Sequence, residues 1–251
     1  MNKSIAIVIP SYNEATNIDV LIQALNETII NINYNIKFIF VDDGSTDETS
    51  RQIEMNFPSV TIIQGDGSLY WNRGMYSAWC RARNTEHDFY LLLNDDVELE
   101  SDAILSLLNL YRKSVRNCVI VGKTVDPISR QTTYGALKRK NSISRNTFIP
   151  ISAKSDIAVT FNANCVLIPA KAIESVGILD PFYTQQFGDI DLGLRLYSKG
   201  WEIVELAKPV ASLAKNSAYT HTNFRLSFKG LKNLLMDTKG IPIRELWNFL
   251  F

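Results

Sequence analysis

The sequence predicts an α/β fold with a mostly parallel central sheet flanked by helices. Short β-branched runs alternate with segments of helical apolar spacing, and the connections between them are short. The chain has 251 residues, 46% of them hydrophobic, which is enough apolar material to cover both faces of such a sheet.

"SIAIVIP", from Ser4, is the first buried strand, and Ile18, Leu21, Ile22, Leu25 and Ile29 then form one apolar stripe on a helix. "IKFIFV" is the second strand, and the polar turn "DDGSTDET" leads into a short helix around Arg51 to Met55. "SVTIIQ" is the third strand, "RGMYSAWCRA" a helix and "FYLLL" the fourth strand. Ser101 is placed to cap a helix carrying Ile104, Leu107, Leu108, Tyr111 and Val115, after which "CVIVGKTV" is the fifth strand. Residues 127–155 are rich in Ser, Thr, Asn, Lys and Arg with weak periodicity, so a long surface excursion or a mobile loop is expected there. "DIAVTFNANCVLIPAKAI" restores strand character and ends in a short helix beginning near Pro169. "GDIDLGLRLYSKG" is a helix stopped at Gly200 and "WEIVELA" a late strand. Apolar residues at 224, 228, 231, 234 and 235 mark an amphipathic tail helix.

Basic and acidic residues number 26 each, so no global charge draws the chain toward nucleic acid, and an anionic partner has to be met locally. Cys80, Cys118 and Cys165 are odd in number, far apart and set among apolar neighbours, which points to reduced core thiols and a cytoplasmic location. "SIAIVI" is cut off by Pro10 and is too short for a signal peptide core or a membrane span. The tail "IPIRELWNFLF" is apolar enough for a peripheral contact at the inner face of the cell membrane or with a partner. The basic stretch "LKRKNSISR" could attract an anionic partner or a membrane surface, although such runs are usually just solvated.

In an open parallel sheet, ligands bind beyond the carboxyl ends of the strands, and the acids of this chain fall there. Strand two ends in Asp42 and Asp43, strand four in Asp95 and Asp96. Such a cluster repels itself unless a cation joins it, and oxygen ligands of this kind suit Mg²⁺ or Mn²⁺ together with phosphate oxygens. A metal–diphosphate complex is one reading; helix caps or a solvated turn at Asp95 and Asp96 is the other.

"VIPSYNE" at 8–14, "VDDGSTD" at 41–47, "LLNDDV" at 92–97 and "FGDIDLGLR" at 187–195 stand in an order and spacing that resembles a family 2 glycosyltransferase of the GT-A fold. The resemblance covers roughly residues 4–205. It implies one GT-A domain over 1–223, with a Rossmann-like nucleotide-sugar half at 1–126, an acceptor-side half at 127–223 and a helical tail at 224–251. It also implies that Pro10, Tyr12, Glu14 and Asp43, with Asp42 beside them, line a nucleotide pocket. "LLNDDV" resembles the family's metal-binding DxD, with Asn94 in place of the first acid, Asp96 as the main ligand and Asp95 as a helper.

"GDGSLYWNRGM" lies where the family's nucleotide-facing loop sits, so Asp66 and Arg73 are candidate donor contacts, Arg73 by meeting a phosphate. A plain glycine-rich turn with Trp71 packed in the core is as reasonable from the residues alone. No dinucleotide or P-loop fingerprint is present. This stretch is also similar, more loosely, to sugar transferases of bacterial surface-polysaccharide assembly.

At about 100° per residue on a helix, Asp189 and Asp191 point to nearly opposite sides. Asp191 and Arg195 stand at i and i+4, the spacing of a helical ion pair. The resemblance puts Asp189 at the acid of the family's "ED" motif, the general base, with Gly188 where the glutamate stands; a helix cap is the alternative for Asp189. His221, in "YTHTNFR", is a candidate added metal ligand by the same resemblance, or a surface histidine. The expected activity is inverting transfer of a hexose or deoxyhexose from a UDP- or dTDP-sugar to a glycan or lipid-linked glycan acceptor. The rivals are a metal-dependent nucleotidyltransferase and a non-catalytic nucleotide-sugar-binding homologue.

Overall fold

The structure is a computed structural model and describes residues 3–30, 32–114, 117–141, 147–153, 155–214 and 243–250. Its strands are β1 (Ser4–Ser11), β2 (Asn35–Asp42), β3 (Thr61–Gln64), β4 (Phe89–Leu93), β5 (Glu98–Leu99), β6 (Cys118–Val121) and β7 (Thr124–Val125), followed by β8 (Thr132–Tyr134), β9 (Ala136–Arg139), β10 (Phe148–Pro150), β11 (Thr160–Phe161), β12 (Cys165–Pro169), β13 (Glu202–Glu205) and β14 (Ala211–Ser212). The helices are α1 (Ile18–Ile29), α2 (Thr49–Asn56), α3 (Tyr70–Ala82), α4 (Ala103–Lys113), α5 (Ala170–Val176), α6 (Gly188–Ser198) and α7 (Ile243–Leu250).

Seven strands form the central sheet in the order β13-β6-β12-β4-β1-β2-β3. Every neighbouring pair is parallel except the two made by β12, which runs antiparallel between β4 and β6. The strands are buried on both faces, which is why β1 and β4 read as unbroken apolar runs rather than alternating ones. Ile5, Ile7 and Ile9 point to the layer that holds Leu21 and Leu25 of α1 and Leu107 and Leu108 of α4. Ala6 and Val8 point to the opposite layer, with Met75 and Trp79 of α3 and Leu192 and Leu196 of α6.

Two expectations are corrected. Residues 127–155 are not an unstructured excursion, because the described part forms β8, β9 and β10, with β9 paired antiparallel to both β10 and β11. These strands are three or four residues long, too short for a period of two to stand out from the polar composition. The apolar run from Asp156, expected only to have strand character, forms two strands, β11 and β12, separated at Asn162–Asn164, where the chain reaches the sheet rim and turns into β12. Ser101 does not cap α4: the N-cap position is Asp102, which makes no side-chain cap and instead bonds Ser106 Oγ at 3.0 Å and Lys208 Nζ at 2.8 Å.

The tail stripe at 224–235 lies outside the described residues. The helix beyond it, α7, packs on the segment before α6. Glu245 is buried and accepts hydrogen bonds from the Thr184 N–H and hydroxyl, Phe249 stacks on Phe187 with ring centroids 4.9 Å apart, and Arg244 lies over Phe182. Trp247 remains exposed. Among the described residues, no helix is long and apolar enough to cross a membrane.

Candidate active site

A cleft of about 720 Å³ opens at the carboxyl ends of β1, β2 and β4. Pro10, Tyr12, Glu14, Asp43, Asp95, Asp96 and Asp189 all line it, together with Trp71, Asn94, Asn162, Asn164, Gln185 and Phe187. Antiparallel β12 contributes because Cys165 pairs with Leu93, which brings the preceding Asn162–Asn164 turn to the rim where β4 delivers Asn94. The Asn94 N–H donates to the Asn164 carbonyl at 3.1 Å.

Three of the residues named from the sequence do not line the cleft. Asp42 is 2% exposed and is held behind it by the Ser45 N–H at 2.8 Å and the Ser50 hydroxyl, closing the turn into α2. Asp66 accepts from the N–H and hydroxyl of Ser68, bonds that hold its carboxyl below the usual range. Arg73 is turned toward the Pro181 carbonyl, to which its Nε donates at 3.0 Å. His221 lies outside the described residues.

Asp43 shapes the cleft wall. Its carboxylate accepts from the N–H groups of Gly67 (3.0 Å), Leu69 (3.0 Å) and Tyr70 (2.9 Å), so the loop from Gly65 is wrapped around it. A side chain at Gly65 would stand 2.5 Å from an Asp43 oxygen, and only glycine lets the loop come this close. Tyr70 and Phe187 are non-glycine cleft residues with positive φ, a backbone conformation that costs roughly 1–2 kcal/mol per residue. Strain of this kind concentrates at functional sites.

The acids differ in their surroundings. Burial pushes the Asp95 carboxyl up to about 7, with the charges of Asp96 and Glu14 adding to the rise and the Ser11 hydroxyl partly offsetting it. Asp96 is also raised, by desolvation and then by Glu14. Two adjacent carboxylates held against their preference to ionise fit a divalent cation, whose charge would reverse both shifts. Among the described residues no three His, Cys, Asp or Glu side chains are grouped to hold a metal by themselves. Mg²⁺ or Mn²⁺ needs only one or two carboxylates when phosphate oxygens complete its shell, so Asp96 with Asp95 remains an adequate donor set.

Asp189 sits in the first turn of α6 but caps nothing; the N-cap position is Phe187. One carboxylate oxygen accepts from the Ile190 N–H at 2.8 Å and the other from the Ala163 N–H at 3.2 Å, tying α6 to the turn before β12. Burial pushes its carboxyl up to about 6, against the lowering effect of these bonds and of the Asn162 side chain. Asp191 faces elsewhere and pairs with Arg195 at 2.8 Å, while Arg195 also donates to the carbonyls of Val176, at the end of α5, and Ile178 just after it.

The family model for glycosyl transferase family 2 matches residues 6–174, well over half of the chain. The chain belongs to glycosyl transferase family 2. Over 50 residues it is 42% identical to CsbB of Bacillus subtilis (strain 168), covering 20% of this chain and 15% of CsbB. The GT-A type fold is shared with solved structures. S. aureus TarS superposes with a TM-score of 0.62 at 15% identity, over 85% of this chain and 37% of TarS. TarS 1-349 in complex with UDP gives 0.63 at 14%, over 84% and 60%. The mannosyltransferase PcManGT from Pyrobaculum calidifontis, in complex with GDP-Man and Mn²⁺, gives 0.61 at 12%, over 86% and 58%. The chain therefore spans 15% of the curated relative and 37–60% of these structures.

Both departures of this family 2 glycosyltransferase from the motifs it resembles stand at tertiary contacts, and the one at Gly188 has a steric cause. Asn94 stands where the first acid of the metal motif is expected, and its Oδ1 accepts from the Trp71 indole N–H at 2.8 Å. Gly188 stands where a glutamate is expected, and a Cβ there would be 1.7 Å from Asn72 Oδ1. Asn72 is fully buried and cannot move aside, since its side-chain amide donates to the Asp180 and Tyr183 carbonyls, both at 2.7 Å. Sequence reasoning missed Trp71, Gln185, Asn162 and Asn164 as cleft residues. The polar break "NAN" inside an apolar strand run was the available signal for the last two.

Proposed function

We propose that this family 2 glycosyltransferase moves a sugar from a nucleoside-diphosphate sugar to an acceptor hydroxyl with inversion at the anomeric carbon. The observation that carries the reading is the division of labour among the cleft acids: Asp95 and Asp96 stand together at the end of β4, while Asp189 stands apart on α6. UDP in TarS 1-349 and GDP-Man in PcManGT, on the same fold, support a nucleotide-sugar donor. Half-exposed Tyr12 offers a face for the base, beside the loop that Asp43 organises.

Asp189 acts as general base. Burial keeps its carboxyl near 6, close to the working pH at which proton abstraction by a carboxylate is most effective, and the Ala163 and Ile190 N–H groups fix its direction. It takes the proton from the acceptor hydroxyl as the new bond forms on the face of the sugar opposite the diphosphate. A divalent cation, Mg²⁺ or Mn²⁺, on Asp96 with Asp95 would supply the charge that stabilises the departing diphosphate. Trp71 and Gln185 line the same cleft as these acids. The acceptor is a glycan or lipid-linked glycan in polysaccharide assembly, and UDP- or dTDP-sugars are the favoured donors.

Thermal unfolding of the protein with UDP-glucose, UDP-GlcNAc, dTDP-glucose, dTDP-rhamnose, GDP-mannose and the nucleoside triphosphates, with and without Mn²⁺, tests this reading. A true donor at one hundred times its Kd stabilises by about 2.7 kcal/mol, which for a chain of this size is a rise of roughly 5–10 °C. The reading fails if nucleoside triphosphates alone stabilise the protein and release pyrophosphate, the behaviour of a nucleotidyltransferase.

A further inference from the structure

We propose that Trp71 is the contact surface for the apolar face of the donor sugar, and that Asn94 is its positioning residue rather than a metal ligand. The inference rests on the transferase reading above and goes beyond it by naming what holds the sugar ring.

Trp71 is fastened at two points. Its indole Nε1–H donates to Asn94 Oδ1 at 2.8 Å, and its backbone N–H donates to Gln185 Oε1 at 2.9 Å. An indole N–H can only donate, so the Asn94 atom facing it must be the oxygen. The Asn94 amide N–H₂ is therefore left facing away from the indole, and the side chain lowers the Asp96 carboxyl, as a nearby donor does. Asparagine is suited to this place because it accepts on one side and donates on the other. An aspartate could accept from Trp71 but would meet Asp96 with a second negative charge, beside Asp95.

The position of Trp71 follows from its two tethers. Asn94 is two residues before Asp96, which the transferase reading sets against the diphosphate, and Gln185 is four residues before Asp189, which that reading sets against the acceptor hydroxyl; both acids line the cleft. The sugar in transit has to lie between those two acids, and Trp71 is a half-buried aromatic residue bound to both of their segments and lining the cleft they share. A pyranose ring turns an apolar C–H face as well as hydroxyls to its surroundings, and a rigidly held indole is complementary to that face.

The test compares a nucleoside diphosphate with its sugar ester. UDP with UDP-glucose and UDP-GlcNAc, dTDP with dTDP-glucose, and GDP with GDP-mannose are titrated calorimetrically into the full chain with Mn²⁺. The pair in which the sugar strengthens binding most is then used for Trp71→Leu, Trp71→Phe and Asn94→Asp. The expected result for Trp71→Leu is a loss of roughly tenfold in affinity for the sugar ester, with the diphosphate held within about threefold. Trp71→Phe keeps a ring but loses the tether, and Asn94→Asp sets a charge against Asp96; both should lose most of the sugar's added affinity, although Asn94→Asp restores the acid of the family motif. Unchanged binding of the diphosphate shows that the variants are folded. Equal losses for diphosphate and sugar ester, or no loss for either, would overturn the inference. So would Asn94→Asp tightening both ligands in a metal-dependent manner, as a first metal ligand should. If the wild-type protein binds none of the pairs, it is the transferase reading itself that fails.

Discussion

Asp189→Asn should lower kcat by about 10²–10⁴-fold while leaving donor affinity within about threefold, because general-base assistance is removed and the diphosphate contacts are not. The pH dependence identifies the group. A base works ionised, so with a carboxyl pushed up to about 6 the wild-type rate should rise roughly tenfold per pH unit below that value and level off above it. The residual rate of Asp189→Asn should lack this limb. The same shift has the opposite sign for stability. Since the folded value lies above the ordinary aspartate value of 3.8, the folded state binds the proton more tightly; the contribution of Asp189 to stability is fully present below pH ~4 and is lost as pH rises through about 6. Initial rates between pH 4.5 and 8 for both proteins check the assignment, and an unchanged limb in Asp189→Asn would remove Asp189 from the role of base.

Gly188→Ala should destabilise the protein by about 1–3 kcal/mol or more, as over-packing of a filled interior does, lowering the Tm by roughly 2–10 °C. The Cβ would fall 1.7 Å from Asn72 Oδ1 and 2.5 Å from its Cγ, and Asn72 is held by three bonds: its N–H to the Thr184 carbonyl at 2.9 Å and its side-chain amide to two further carbonyls. Asn72→Ala alone should also destabilise, by leaving the Asp180 and Tyr183 carbonyls without this donor. The double variant removes the atoms that obstruct the new Cβ, so its loss should be smaller than the sum of the two single losses. Strict additivity in thermal or denaturant unfolding would contradict the steric explanation. By the same geometry, Gly188→Glu, which writes the family's acid into this chain, should be more damaging than Gly188→Ala.

The elements with strong periodicity were legible in the sequence. β1, β2, β4, α1, α3 and α6 follow from apolar spacing, and the acids that end β2 and β4 follow from where an open parallel sheet places its ligands. The Asp191–Arg195 pair was readable because a helix fixes its own i, i+4 neighbours. Partners chosen by tertiary packing were not readable. Asp42 is captured by Ser45 and Ser50 within its own turn, while the adjacent Asp43 organises a loop more than twenty residues later, and adjacency alone does not separate these outcomes. Arg73 carries a suitable charge in a suitable loop, but its place on α3 aims it at Pro181. The Trp71–Asn94 and Asn72–Gly188 contacts join segments far apart in the chain. Each looked like an isolated departure until the fold set the two positions side by side.

The most direct test is donor binding measured by calorimetry for the wild-type protein and Asp96→Ala, in Mn²⁺ and in chelator, with the nucleotide sugar that stabilises the protein most. If the paired acids at the end of β4 hold a cation against the diphosphate, Mn²⁺ should strengthen wild-type binding by roughly tenfold or more and should do nothing for Asp96→Ala. Metal-independent binding in the wild type, or the same metal enhancement in both proteins, would contradict that arrangement.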